Sequence, residues 1–134
     1  MNLKISDSNL PDYIHISIDE YPTPANLELL VEEIFSLPVW ESGLNVIINI
    51  KEENKQNHSL DDVYLYERII SRHLDKLKTS HCAVVLKDLC NPEIHEIFKM
   101  IIQHKSNKRI RLFCTENEAV DWIKEIIRKT AATG

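Results

Sequence analysis

Glycine is scarce in this chain, occurring only at Gly43 and Gly134 among 134 residues. Phosphate-cradling loops and flexible linkers both need glycine-rich stretches, so the composition excludes the former and predicts no linker between domains. The length suits one domain, and a 43% apolar fraction is enough for one buried core. We therefore predict a single domain over residues 1–134, with a core at about 12–128 and a flexible tail at 129–134.

Long apolar runs are also missing. No run approaches the roughly 20 residues that cross a bilayer, and the N-terminus lacks the positive, apolar and small-residue regions of a signal peptide. We expect no transmembrane segment and a soluble, cytoplasmic protein. A net charge of −5 opposes the phosphate neutralisation that dominates nucleic-acid affinity, so DNA and RNA are not expected partners.

Cysteine is too sparse for a disulfide framework or a paired metal knuckle. Cys82, Cys90 and Cys114 are odd in number and widely spaced, which favours reduced core thiols, Cys82 and Cys114 lying inside buried strands. Four of the six histidines, His58, His73, His81 and His95, are scattered as well. We therefore predict no metal, no cofactor and no catalytic residue, because no nucleophile, base and oxyanion donors occur together.

Short strand-like runs alternate along the chain with longer stretches of helical spacing. The strand-like runs are residues 2–5, 13–18, 44–50, 81–86 and 109–114, and helical spacing follows Pro24, Ser59, Asn91 and Thr115. Thr115 is predicted to cap the last helix, with Glu118 three residues later. This β-β-α-β-α-β-α-β-α order predicts a mixed α/β fold with a largely parallel sheet and right-handed crossovers. Residues 44–50 are apolar almost throughout and suit the central strand, while the N-terminal ribbon suits an antiparallel edge.

Residues 46–63, VIINIKEENKQNHSLDDV, run from the central strand through a polar loop into a helix. Ser59 is interpreted as the helix cap, worth about 1 kcal/mol, with phosphorylation of its hydroxyl as the alternative. The charged residues around this loop carry no calcium-loop spacing and are interpreted as a partner surface. That predicted surface consists of Glu52, Glu53, His58, Asp61 and Asp62.

Aromatic side chains follow the first helix and recur on later ones. Trp40, Tyr66 and Phe98 are candidates for the wall of an apolar pocket that takes a small molecule or a lipid tail. The alternative is that these rings simply complete the core. An exposed apolar helix face would also permit a homodimer.

Two stretches resemble a known family: LNVIINIKEENKQNHSLDD at 44–62 and IRLFCTENEAVDWI at 110–123. The second resembles the closing strand and helix of SpoIIAA-like proteins, with Phe113, Ala119 and Trp122 at the matching positions. The element order over about 12–128 is similar to that of the STAS and SpoIIAA-like superfamily. The resemblance implies a small bacterial cytosolic binding domain without enzymatic activity, which engages another protein.

Anti-sigma-factor antagonists of this superfamily carry a phosphorylatable serine at the start of the helix after the central strand, which is near Ser59 here. This chain departs from their pattern, because Asp61 stands where a glycine is usual and Asn49 replaces a strand aspartate. These departures favour the SpoIIAA-like group. The expected function is therefore protein–protein interaction, with carriage of a small apolar ligand or lipid between helices and sheet as the alternative.

Overall fold

The computed structural model describes residues 3–19, 23–38, 40, 43–50, 60–77, 79–86, 96, 100–102, 104 and 109–133. The strands are β1 (Leu3–Ser6), β2 (Ile14–Ile18), β3 (Val46–Ile50), β4 (Cys82–Leu86) and β5 (Ile110–Phe113). The helices are α1 (Pro24–Phe35), α2 (Leu60–Leu77) and a C-terminal helix (Glu116–Thr133). Residues 96, 100–102 and 104, between β4 and β5, are helical too.

The five strands form one sheet in the order β1-β2-β3-β4-β5. β1 is antiparallel to β2, and each later pair is parallel. The predicted α/β class and the antiparallel N-terminal edge are therefore confirmed, and the central strand predicted at 44–50 is β3, which begins at Val46. All five residues of β3 are buried because side chains cover both faces of the sheet at its centre.

The connections divide the helices between the two faces of the sheet. From β2 to β5 each strand lies beside its predecessor, and right-handed crossovers of this kind place their helices on one face. On that front face, α1 and α2 cover a core that includes Ile16 and Ile48. The C-terminal helix leaves β5 and covers the back face, where Ala119 and Ile123 pack with Ile47.

Local signals in the sequence set the helix starts. Thr23 caps α1, its Oγ1 accepting a hydrogen bond from the Asn26 amide at 3.2 Å, and Pro24 occupies the first turn, where it is tolerated. Thr115 caps the C-terminal helix, accepting from the Glu118 amide at 3.3 Å and donating to its carboxylate at 2.9 Å. This confirms the predicted Thr115 cap with Glu118 three residues later.

One sequence prediction about the core is wrong. Cys114 was expected inside a buried strand, but β5 ends at Phe113 and the Cys114 side chain is exposed. The strand stops one residue early because the chain turns there toward the Thr115 cap. At the other end, the C-terminal helix continues through Thr133. Among the described residues, none of the helices has the length and apolar character needed to cross a membrane.

Candidate functional site

A cavity lies on the front face, between the sheet and the pair formed by α1 and α2. Its walls include Leu27 and Phe35 of α1, Trp40, Ile70 of α2 and Val84 of β4. Its volume is about 100 Å³. Engineered cavities of roughly 150 Å³ with similar walls stay dry and bind benzene, whereas drug-sized pockets take about 300–1,000 Å³. This cavity therefore matches a small apolar ring or a short aliphatic group.

Trp40 and Phe35 form the aromatic part of the cavity wall. Their rings meet edge to face, with centroids 4.7 Å apart and planes at 86°. The Trp40 amide donates to the Leu37 carbonyl at 2.9 Å, which fixes the backbone after α1. The Lys76 ammonium of α2 lies 5.8 Å from the Phe35 ring centre, a cation–π contact between the two helices.

Among the described lining residues, His73 and Cys82 are the two besides Trp40 that carry a heteroatom in the side chain. Burial raises the pKa of the Cys82 thiol to about 12, so this thiol is protonated at neutral pH and is not a nucleophile. The two ring nitrogens of His73 are buried, and neither has a hydrogen-bond partner. The other described lining residues are hydrocarbon or aromatic carbon, which suits an apolar occupant.

The three aromatic residues predicted to line a pocket have different positions. Trp40 lines the cavity. Tyr66 lies in α2 and is 4% exposed, but it is not among the lining residues. Phe98 lies outside the described residues.

The predicted partner surface is described only at its helical end. Glu52, Glu53, His58 and Ser59 lie outside the described residues. The helix α2 begins at Leu60, directly after Ser59, and Asp61 is exposed in its first turn, with Asp62 next in the helix. Tyr64 and Leu65 are also exposed, at 53% and 41%. Acidic and apolar groups therefore share the start of α2.

A carboxylate–imidazole pair lies on the back face. His15 of β2 contacts the Glu116 carboxylate of the C-terminal helix through Nε2. Burial, and next the carboxylates of Glu116 and Asp12, raise the pKa of nearby Tyr13. Ser6 is the cross-strand partner of His15, yet its hydroxyl bonds Ser8 at 2.9 Å. Among the described residues, no hydrogen bond is seen between this pair and a nucleophilic side chain such as the Ser6 hydroxyl.

The residues that carry the family resemblance pack the C-terminal helix onto the sheet. Ala119 is fully buried, and the rings of Phe113 and Trp122 lie 5.6 Å apart. The Arg111 guanidinium lies 5.4 Å from the Phe113 ring and 5.6 Å from the Trp122 ring. These positions are occupied by packing residues, so the matching motif indicates how the helix docks and not what the protein binds.

His81 packs its ring against Trp122 at 5.7 Å. Burial, and next the charge of Arg109, lower the pKa of His81, while a hydrogen bond with the Thr79 backbone acts in the opposite direction. The neutral imidazole is therefore favoured in the fold. This places His81 in the support of the C-terminal helix.

Sequence reasoning missed two features of the site region. Asn49 is 3% exposed and its Oδ1 has no hydrogen-bond partner, which a strand pattern does not reveal. Glu28, Glu32 and His73 bring their ligand atoms within 4.8 Å of one another. The spacing of Glu28 and Glu32 was visible in the sequence, but the contribution of His73 required the packing of α2 on α1.

No family model, curated protein or solved structure matches this chain. The SpoIIAA-like resemblance therefore stays a prediction, and the function has to be argued from the geometry of the fold.

Proposed function

We propose that this protein is a non-enzymatic binding domain whose front-face cavity takes a small apolar ligand. The observation that carries the proposal is the cavity of about 100 Å³, bounded by α1, α2 and the sheet. A ligand seated there would remove apolar wall area and its own apolar surface from water, and burial of apolar area is the general driving force for such binding.

The chemistry of the walls supports binding over catalysis. The Cys82 thiol is held protonated, and none of the described lining residues has a carboxylate or hydroxyl. The remaining polar group is His73, which gives the cavity one polar end. A ligand with a ring or a short branched chain and a single polar atom therefore fits these walls best. A full acyl chain exceeds the volume.

The test uses the fact that the chain has two tryptophans, Trp40 in the cavity wall and Trp122 on the back face. In a Trp122→Phe background, all tryptophan emission comes from Trp40. Titration with toluene or indane is expected to give a saturable change in that emission. A flat titration in this background would contradict the proposal.

A matched pair of variants on α1 separates filling of the cavity from general effects. Val31 lines the cavity, whereas Leu29 on the same helix is 62% exposed. Val31→Phe is expected to occupy the space and abolish the fluorescence response, while Leu29→Phe leaves it intact. An equal response from both variants would show that the ring compounds bind elsewhere.

Exposed groups at the start of α2 favour a second candidate function, docking of a basic protein partner. Asp61 provides negative charge, and Tyr64 and Leu65 provide exposed apolar area beside it. Tyrosine is enriched in interface cores, and charge complementarity steers association. This candidate agrees with the SpoIIAA-like resemblance. Phosphorylation of Ser59 would add close to two negative charges next to the same surface.

Reversing the charge at the start of α2 tests this second candidate. With the wild-type protein as bait, a partner protein is captured from a lysate of the source cells. The double variant Asp61→Lys, Asp62→Lys is expected to lose this capture. Loss of the favourable helix-dipole interaction accounts for only about 1 kcal/mol of stability. Asp75→Lys, an exposed reversal near the other end of α2, is the matched control and retains capture. Equal capture by all three proteins would rule the surface out.

A further inference from the structure

Three potential metal ligands meet where α1 packs on α2. Glu28 and Glu32 lie one helical turn apart on α1, so their carboxylates project from the same face. His73 of α2 lies opposite, with its Nε2 3.9 Å from Glu28 Oε1. The ligand atoms of all three residues lie within 4.8 Å of one another.

The imidazole of His73 has unsatisfied polar atoms. Its side chain is 12% exposed, and both ring nitrogens are buried without a hydrogen-bond partner. The same residue lines the cavity, whose other described walls are mostly apolar. Leaving a buried polar atom unpaired costs free energy, so a partner for an imidazole nitrogen would stabilise the fold at this position.

Arg72 orients the Glu28 carboxylate toward the centre of this group. Its guanidinium donates to Glu28 Oε2 at 3.2 Å, which leaves Oε1 directed toward His73. Metal-ligating carboxylates commonly have such an outer hydrogen bond, which fixes their direction. Glu32 adds a second negative charge at i,i+4, a spacing at which two like charges repel unless a cation lies between them.

We propose that Glu28, Glu32 and His73 bind a divalent transition-metal ion of the zinc class and so join α1 to α2 at the rim of the cavity. Imidazole with carboxylates suits zinc and its neighbours, whereas calcium and magnesium prefer oxygen ligands alone. Three protein ligands leave one tetrahedral position open. Donor atoms of a tetrahedral zinc site lie roughly 3.3 Å apart, so the side chains close by about 1 Å on binding.

His73 belongs both to this ligand group and to the cavity wall, where Cys82 and Trp40 are the other described lining residues with a side-chain heteroatom. A bound ion there would take the polar atom of a ligand whose apolar part enters the cavity. The metal site itself does not depend on the proposed ligand function. Ring-compound titrations on metal-free protein therefore test the cavity alone, and metal titrations without ring compounds test the ion site alone.

The experiment is calorimetric titration of tag-free, chelator-treated protein with Zn²⁺. About one ion per chain is expected for the wild type. Glu32→Gln and His73→Gln are each expected to weaken binding at least tenfold, because each removes one of three ligands. Glu33→Gln, an exposed neighbour on α1 outside the ligand group, is the matched control and binds as the wild type does.

Two further measurements keep the result decisive. Glu32 is exposed, so Glu32→Gln should keep its circular dichroism spectrum even if His73→Gln unfolds. Cys114→Ser removes the exposed thiol as a rival ligand and is expected to leave zinc binding unchanged. The proposal is overturned if the wild type binds no Zn²⁺, if Glu32→Gln binds as tightly as the wild type, or if binding disappears with Cys114.

Discussion

Ile47→Ala is expected to lower the free energy of unfolding by about 3–5 kcal/mol, near the upper end of the range for buried isoleucine. Ile47 is fully buried in the central strand and packs on the back face under the C-terminal helix. Its neighbours Ala83 and Ala119 are also fully buried, and short side chains cannot extend into the space that the mutation leaves. The loss of a β-branched residue from a strand adds to this cost.

Urea unfolding at neutral pH measures this effect. Leu29→Ala provides the control, because Leu29 is 62% exposed on α1 and alanine is a good helix former, so the change should stay within about 0.5 kcal/mol. With a domain stability of about 5–15 kcal/mol, Ile47→Ala should remove a large part of the total. A loss below about 1 kcal/mol would mean that the sheet and the C-terminal helix pack less tightly than described.

Asn49→Val is expected to have the opposite sign, raising the free energy of unfolding by about 1–2 kcal/mol. Asn49 is buried in β3 with its Oδ1 unpaired, and an unsatisfied buried polar group costs about 1–3 kcal/mol. Valine also suits a strand better than asparagine does. Because Asn49 alternates with Ile48 and Ile50, its side chain lies on the back face with Ile47 and not in the front-face cavity.

Asn45→Val is the matched control for this prediction. Asn45 is also buried, but its amide donates to the Asp12 carbonyl at 3.4 Å and its oxygen accepts from the His81 amide at 3.1 Å. Its replacement leaves those buried backbone groups without partners and should destabilise the fold by about 1–3 kcal/mol. If both variants destabilise, the Asn49 amide makes a contact that outweighs its unpaired oxygen.

An unpaired amide oxygen at this place also bears on function. Open α/β sheets hold their ligands just beyond the carboxyl ends of their strands, and Asn49 is the last residue but one of β3. Stabilising substitutions commonly reduce activity where a strained or unsatisfied group serves binding. Asn49→Val therefore belongs in any partner-capture assay as well as in the unfolding experiments.

The separate positions of the cavity and the start of α2 let the two candidate functions be tested apart. The cavity is lined by residues from α1, α2 and the front face of the sheet, while Asp61, Tyr64 and Leu65 are exposed on α2. Val31→Phe and the Asp61 reversal change different surfaces and share no lining residue. Sensitivity of ring-compound binding to the Asp61 reversal would indicate that the two regions are coupled.

The order of elements was predictable because each depends on short-range patterns. The apolar run before residue 50 indicates a strand covered on both faces, and the pairing of β3 between β2 and β4 agrees with it. Thr23 with Pro24, and Thr115 with Glu118, mark helix starts whose hydrogen bonds close within one turn. Such contacts involve neighbours in sequence, so the sequence shows both partners together.

What the sequence alone determined is therefore the α/β class, the antiparallel edge, the central strand and the Thr115 helix cap. Tertiary structure decided the rest. It brought Trp40, which follows α1, to the same cavity as Ile70 of α2. It also placed His73 beside Glu28, although the two residues are 45 positions apart in the sequence. It also left the Asn49 Oδ1 unpaired and Cys114 exposed. Sites made by distant segments depend on how helices pack on the sheet, and periodicity within one segment carries no information about that packing.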